Sequence, residues 1–344
     1  MKRQIVFKSA GVALALIGSI SIALLSGAVS GQSKTAGPAY KLSGPYAHEN
    51  LTIFLIHGKD QLTNRRLITL SEALAQKKVR VHETGRVNEL VVENLSDDDI
   101  FIHSGDIVKG GKQDRTFPDD CLLPARSGQV SLPAFCVEQG RWQRRGSESA
   151  AYFGSSYAQL PSKELKLAAR HEQAQDQVWR AASGVVGGMS GGLGLPVASP
   201  ISSTSLELSL ENGNLKQAVK PYLQKLLPLA EHGDIVGYAF FINGELNSAD
   251  IYASRPLFRK LWPTLLEASV IEAISKRAKS VSTQTAGAQS VKLLLSDSLA
   301  GKTSTKEIGP ATLLIKRETD RSLLFESRDR KDKDIWIHRS YLTK

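Results

Sequence analysis

Cysteine is nearly absent from this 344-residue chain: there are two, Cys121 and Cys136, fifteen positions apart. Without a second pair they cannot build a four-cysteine zinc site. In an oxidising compartment they either pair as a disulfide between packed strands or stay as two buried thiols, and the sequence leaves both open. Aromatic residues make up 6% of the chain, too few for a large base- or sugar-stacking surface. Seven histidines are scattered without forming H-x-H or H-E-x-x-H, so no metal-binding motif is written in the chain. No carboxylate pair stands out as a glycosidase pair, and no internal repeat is visible. No long apolar run follows residue 30, so the body of the chain reads as soluble.

The one long apolar run lies at the N-terminus. Lys2, Arg3 and Lys8 precede an apolar stretch from Gly11 to Ala28, and Ala28 and Ser30 put small residues at the −3 and −1 positions of a cleavage site after Ser30. Residues 1–30 are therefore expected to be an export signal, and the protein periplasmic or extracellular. An uncleaved anchor is the alternative, since the run is near the lower length limit for a span. Membrane contact is then confined to this segment. No cysteine follows the run, which argues against a lipoprotein anchor. The hydrophobic fraction of 41% and charged fraction of 23% are those of a globular protein. The formal net charge of +10 favours an anionic partner only slightly, because the cations are spread along the chain. Nucleic acid is not an expected partner.

Residues 31–46, rich in Gly, Ser, Ala and Pro, read as a linker. LTIFLIHG (51–58) reads as a buried strand, LITLSEALAQKK (67–78) as a short helix, and VNELVVEN (87–94) and IFIHSG (100–105) as strands joined by an acidic hairpin loop. CLLPA (121–125) and QVSLPAFCVE (129–138) continue the strand series. The period then changes to that of a long amphipathic helix over 162–182, capped by Ser162. The glycine-rich stretch 184–205 reads as a mobile loop. A helix over 215–231, interrupted at Pro221 and capped by Asn214, precedes a hairpin over 234–253 turning at Asn243-Gly244. A helix over 256–279, kinked or begun at Pro263, a polar stretch over 280–290 and C-terminal strands near 291–295, 311–317, 322–327 and 335–342 complete the chain. The charge run 328–334 reads as a solvated hairpin tip. The expected fold is α+β: an antiparallel β-rich layer, sandwich or barrel-like, with long helices packed on it. The expected organisation is a single domain over 47–280 followed by a small β-rich element over 281–344.

Chemistry concentrates between His103 and Trp142. GDIVKGGKQ (105–113) fails as a Walker A, because Asp106 stands at the first glycine and Gln113 replaces the metal-binding hydroxyl. A Gly110-Gly111 turn with Lys112 and Arg115 nearby still suits a phosphate or carboxylate; a solvated turn is the plain alternative. In CVEQGRW (136–142), Glu138 and Arg141 either clamp loops together under Trp142 or act on a ligand, Glu138 as general base and Arg141 as an anion's partner. Gly188-Met189-Ser190-Gly191-Gly192 matches a nucleophile elbow in letters but lacks the strand before it and the helix after it. His57 and His103, with Asp106, could form a cupin-like metal site, although strand-end histidines are more often ordinary polar groups.

GDIVKGGKQDR and LPAFCVEQGRW resemble the hallmark motifs of a domain named for its association with ADP-ribosylglycohydrolases and the rhodanese-phosphatase superfamily, a domain of unknown function. The resemblance continues through 177–179 and 236–273 and so covers roughly 47–280. It implies ADP-ribose- or nucleotide-derived ligands, and it points to Gly110, Gly111, Lys112, Gln113 and Arg115, and to Cys136, Glu138, Gln139, Gly140, Arg141 and Trp142. The expected function is binding of a small anionic ligand by Asp106, Gly110, Gly111, Lys112, Gln113, Arg115, Gln139, Arg141 and Trp142, with no metal assigned and no cofactor named by any motif. The alternatives are a hydrolase of phosphorylated or ADP-ribosylated substrates with Glu138 as catalytic base, and a non-catalytic envelope scaffold whose charged groups pair with each other.

Overall fold

The computed structural model describes residues 40–231, 233–277 and 287–344. The expected signal (1–30) and most of the expected linker lie outside the described residues. The linker ends sooner than its composition suggests, because Lys41–His48 is already a strand paired antiparallel to Leu51–His57. No helix of the described residues is long and apolar enough to cross a membrane.

Ile235–Ile242 is buried at every position, as a strand covered on both faces must be. It sits inside an eight-stranded antiparallel sheet whose order is Lys41–His48, Leu51–His57, Ile235–Ile242, Glu245–Tyr252, Trp336–Thr343, Ser322–Asp329, Thr312–Glu318 and Lys302–Ile308. The tail expected as a separate element thus supplies half of the main sheet. Asn243 and Gly244 turn the central hairpin with φ of 52° and 84°, both left-handed as a type I′ turn requires.

A seven-stranded sheet runs Gly128–Pro133, Glu89–Asn94, Val79–Glu83, Tyr152–Gln159, Asp106–Gly110, Arg115–Thr116 and Phe135–Cys136. A third sheet joins Leu67–Thr69, Asp99–Ile102 and Cys121–Leu123. All three are open, so the fold is α+β without a closed barrel. Glu89–Asn94 and Asp99–Ile102 belong to different sheets, so the acidic turn between them carries the chain from one sheet to another rather than closing a hairpin. The expected helix at 67–78 begins later, at Leu70, because Leu67–Thr69 is a strand and Thr69 forms a capping box with Glu72.

The helix Arg255–Ser275 is the hub. It starts from Ser254, whose hydroxyl accepts from Leu257 N at 3.2 Å, and it continues through Pro263. Thirteen of its residues are buried, and it packs on strands of all three sheets. The helix expected over 162–182 is broken. Ser162 caps Lys163–Leu167 as expected, Ala168–Glu172 winds as a π-helix, and Gln173 turns left-handed before Gln175–Leu193 begins. This last helix absorbs half of the stretch expected to be a loop. Its glycines are an interface, since a Cβ on Gly188 would lie 2.9 Å from Ser275 O and one on Gly192 would overlap Ile274 O. Packing overrides propensity here. Gly192→Ala is expected to destabilise by about 1–3 kcal/mol through overpacking. Gly187→Ala, with nothing near its Cβ position, is expected to stabilise by about 0.5–1 kcal/mol. Urea unfolding of the two variants checks the pair.

Two further expectations shift. Asn212, rather than Asn214, caps Gly213–Leu226, which runs through Pro221. The strand expected near 291–295 is part of the helix Ala288–Asp297, while Lys302–Ile308 is a strand that reading did not include.

Candidate functional site

The two motif segments do meet. Phe135–Cys136 pairs with Arg115–Thr116, which brings Glu138, Arg141 and Trp142 beside the Gly110-Gly111 turn. Gly111 sits at φ 55°, where any side chain would be strained and would also run into Phe153 and Glu83.

What meets there is already neutralised. Asp114, fully buried, accepts from both terminal nitrogens of Arg145 at 2.9 and 3.0 Å and from Gly110 N at 3.0 Å, with Ser205 Oγ at 3.2 Å. Glu138, also fully buried, accepts from Arg141 Nε at 2.7 Å and Ser202 Oγ at 2.7 Å, with Arg145 at 3.5 Å. Both of its carboxylate oxygens are engaged by donors of the protein itself. Trp179 Nε1 ties the same residue's carbonyl to the helix Gln175–Leu193 at 3.1 Å. A buried carboxylate is stable only when paired and hydrogen-bonded, and here two carboxylates and two guanidinium groups meet that condition together.

The residues expected to hold an anion are also engaged within the protein. Arg115 is fully buried and donates inward to Val87 O at 2.9 Å, with Glu83 at 3.7 Å and Cys136 Sγ in contact. The turn amides meant for a ligand have partners within the protein: Gly110 N donates to Asp114, Gly111 N to Ser149 O at 3.0 Å and Lys112 N to Glu83 at 2.9 Å. Arg141 faces Glu138 and Asp114. Gln113 is buried and Gln139 exposed, so the two amides do not converge as orienting groups. Of the expected cations, only the Lys112 ammonium makes no ion pair among the described residues; it lies 5.1 Å from the ring centre of Trp142, which is 43% exposed.

Both cysteines are free and buried in this structure. Burial pushes Cys121 up to about 12 and Cys136 up to about 11, so neither is a thiolate at neutral pH. Ser190 lies inside a helix and donates to Val186 O at 3.0 Å, so it forms no nucleophile elbow. His57 bonds Asp234 at 2.6 Å and Ser43 at 2.7 Å, so it joins neither His103 nor Asp106 in a metal site.

Asp106 parts company with the rest of its motif and opens a second site. Its carboxyl accepts from His103 N at 2.9 Å and from Gln159 Nε2. The Gln159 carbonyl then faces His103 Nδ1 at 3.1 Å, which fixes the proton on that nitrogen and leaves Nε2 to accept from Tyr252 Oη at 2.8 Å. His338, stacked on Tyr252 with ring centres 4.4 Å apart, reaches Asp120 at 2.8 Å and Asp250 at 3.2 Å. Burial, then His338, lowers His103 to about 4, so it is neutral at pH 7. Burial also works against a charge on His338, but Asp120 and Asp250 outweigh it and raise its pKa. Burial pushes Asp106 up to about 8. His103, Asp120 and His338 lie close enough to share a metal ion, yet both nitrogens of His338 are already committed to carboxylates. The cluster is a buried hydrogen-bonded ion group. Its C-terminal members were invisible to a reading that set the tail apart.

This chain of groups ends at a cleft between the strand Tyr152–Gln159 and the hub helix. Near Asp106, Ser71, Gln159 and Lys260 the space is about 20 Å3, room for about one water. A second space of about 330 Å3 beside Glu207, Lys216 and Glu267 shares Tyr157, Gln159 and Thr264 with it as lining. The wall is shaped by a bulge: pairing with Asp106–Gly110 shifts register between Ser155 and Gln159. Ser155 Oγ accepts from Tyr157 N at 3.1 Å and Ser156 Oγ from Ala158 N at 3.0 Å. The bulge holds Tyr157 at φ 57° and 60% exposed. Two consecutive serines before a tyrosine were the only signal of it in the sequence.

Among curated proteins and among solved structures, nothing matches this chain. A family profile matches residues 39–342, beyond the 47–280 that the motifs suggested at both ends, and it takes in the C-terminal strands and with them His338. The chain belongs to the ARG and Rhodanese-Phosphatase-superfamily-associated Protein domain family, whose function is unknown.

Proposed function

We propose that the protein is an exported small-molecule-binding protein whose ligand occupies the cleft beside Tyr157. Export rests on the N-terminal pattern of cations, apolar run and small residues. The cleft reading is carried by Tyr157 itself. A bulky residue at positive φ costs about 1–3 kcal/mol and persists where function uses it; here the ring is held in water at the mouth of a space of ligand size. The family association makes nucleotide-derived compounds the first to try, alongside amines and sugars.

Tyr157→Gly tests the reading because strain and binding separate. The variant is expected to unfold within about 1 kcal/mol of the wild type or above it, since glycine relieves the strain. It is also expected to lose the thermal stabilisation that a cleft ligand gives. Equal stabilisation of both proteins by every ligand found would remove the cleft from consideration.

A non-catalytic scaffold is the second reading. It is favoured by the mutual pairing of the motif charges and by a shallow, mostly apolar surface groove at Val219, Leu223, Leu227 and Pro228. A hydrolase would have to use Asp106 rather than Glu138, with the single water that fits beside it.

A further inference from the structure

Glu207, on the short helix Leu206–Leu210, is 1% exposed, yet its Oε2 has no hydrogen-bond partner among the described residues. It lines the wide part of the cleft. An unpaired carboxyl oxygen is rare in a folded interior, and each one asks for an explanation. Its surroundings are mostly acidic. Glu211 and Glu267 line the same space, Glu211 is held by Lys109 at 2.5 Å, and Lys216 is the one cation lining this wide part among the described residues. Leu210, Ile271 and the Tyr157 ring supply apolar surface.

We propose that this cleft binds an organic amine with an apolar or aromatic body, its ammonium paired with the Glu207 carboxyl group and its body against Tyr157, Leu210 and Ile271. The proposal rests on the cleft being the ligand site and adds the class of ligand. The ammonium supplies the missing hydrogen-bond donor and the missing positive charge in one group. A neutral alcohol of the same shape supplies only the first.

Burial pushes Glu207 up to about 8, with Asp114 and Glu211 adding to the rise and Lys109 and Ser156 offsetting part of it. Glu267, facing the cleft from the hub helix, is also raised by burial. The empty site therefore holds Glu207 as a neutral acid at pH 7. When the ammonium docks, the acid becomes a carboxylate and its proton passes to the buffer. Affinity rises with pH until about 8, where the free site is already ionised.

Calorimetric titration with benzylamine at pH 7, in phosphate and in Tris, reads the proton directly. The expected result is release of roughly one proton per ligand, with benzylamine binding about tenfold or more tighter than benzyl alcohol. Glu207→Gln is expected to weaken benzylamine about tenfold and to abolish the proton release. No binding of benzylamine at millimolar concentration, equal binding of the alcohol, or an unchanged Glu207→Gln would each overturn the proposal. If Glu207→Gln does not fold, the proton count and the alcohol comparison decide on the wild type alone. Tyr157→Gly separates this proposal from the reading beneath it. Undiminished benzylamine binding there keeps Glu207 and removes Tyr157. Binding of other ligands but not amines, lost in Tyr157→Gly, does the reverse.

Discussion

His338→Phe is expected to lower the unfolding free energy by about 3–5 kcal/mol, because it leaves Asp120 and Asp250 in the interior without the imidazole that bonds both. Phenylalanine keeps the stacking on Tyr252 and fills a similar volume, so the loss measures charge and hydrogen bonds rather than a cavity. The pH dependence carries the sign. In the wild type, burial opposes ionisation of Asp120 and Asp250, but His338 outweighs it and holds both carboxylates below their ordinary range. Their contribution is present above about pH 4 and lost as pH falls through the lower folded values. His338 is raised, so its contribution is full below about pH 6.5 and is lost as pH rises through its folded value. In His338→Phe the carboxyls keep their burial and lose both the bond and the charge of His338, with Arg170 and Lys166 left to oppose burial, so their folded pKa values are expected to rise above the unfolded ones. Its stability is then greatest at acid pH and falls as pH rises above the unfolded carboxyl values of about 4. Urea unfolding between about pH 5 and 8 checks this; parallel curves for the two proteins would show that the imidazolium is not what holds the group together.

Asp114→Ala is expected to cost a similar amount, about 3–5 kcal/mol. It removes the acceptor of both Arg145 terminal nitrogens and of Gly110 N, and leaves Arg141 and Arg145 to share Glu138 and Glu148. A buried pair is poorly screened, so added salt should change the wild type and the variant alike. The expectation fails if the variant unfolds within about 1 kcal/mol of the wild type, as a solvated surface cluster would. The size of this effect separates a clamp from the ligand site that the motif residues suggest.

Local pattern carried much of the fold. Asn243-Gly244 marked its hairpin, Ser162 its cap and the apolar run 51–57 its buried strand, because each depends on neighbours in sequence. What was illegible depends on distant partners. Gly188 and Gly192 read as loop until a second helix lies against them, and 302–343 reads as an appendage until Trp336–Thr343 pairs with Glu245–Tyr252. The candidate site divides the same way. The motif between His103 and Trp142 announced a concentration of charge and Asp106 within it, but not that Arg145, Ser202 and Ser205 would complete the pairing from later segments. Tyr157 and Glu207 belong to no motif; a bulge and a burial depth make them notable, and neither is written in residue types.

The most direct measurement is a thermal-shift screen of amines, nucleotides, ADP-ribose and sugars against three proteins: wild type, Tyr157→Gly and Lys112→Ala. If the cleft is the site and the motif a clamp, ligands that stabilise the wild type lose their effect in Tyr157→Gly and keep it in Lys112→Ala. The opposite pattern, with binding kept in Tyr157→Gly and lost in Lys112→Ala, would place the ligand on the Lys112–Trp142 surface and contradict the account.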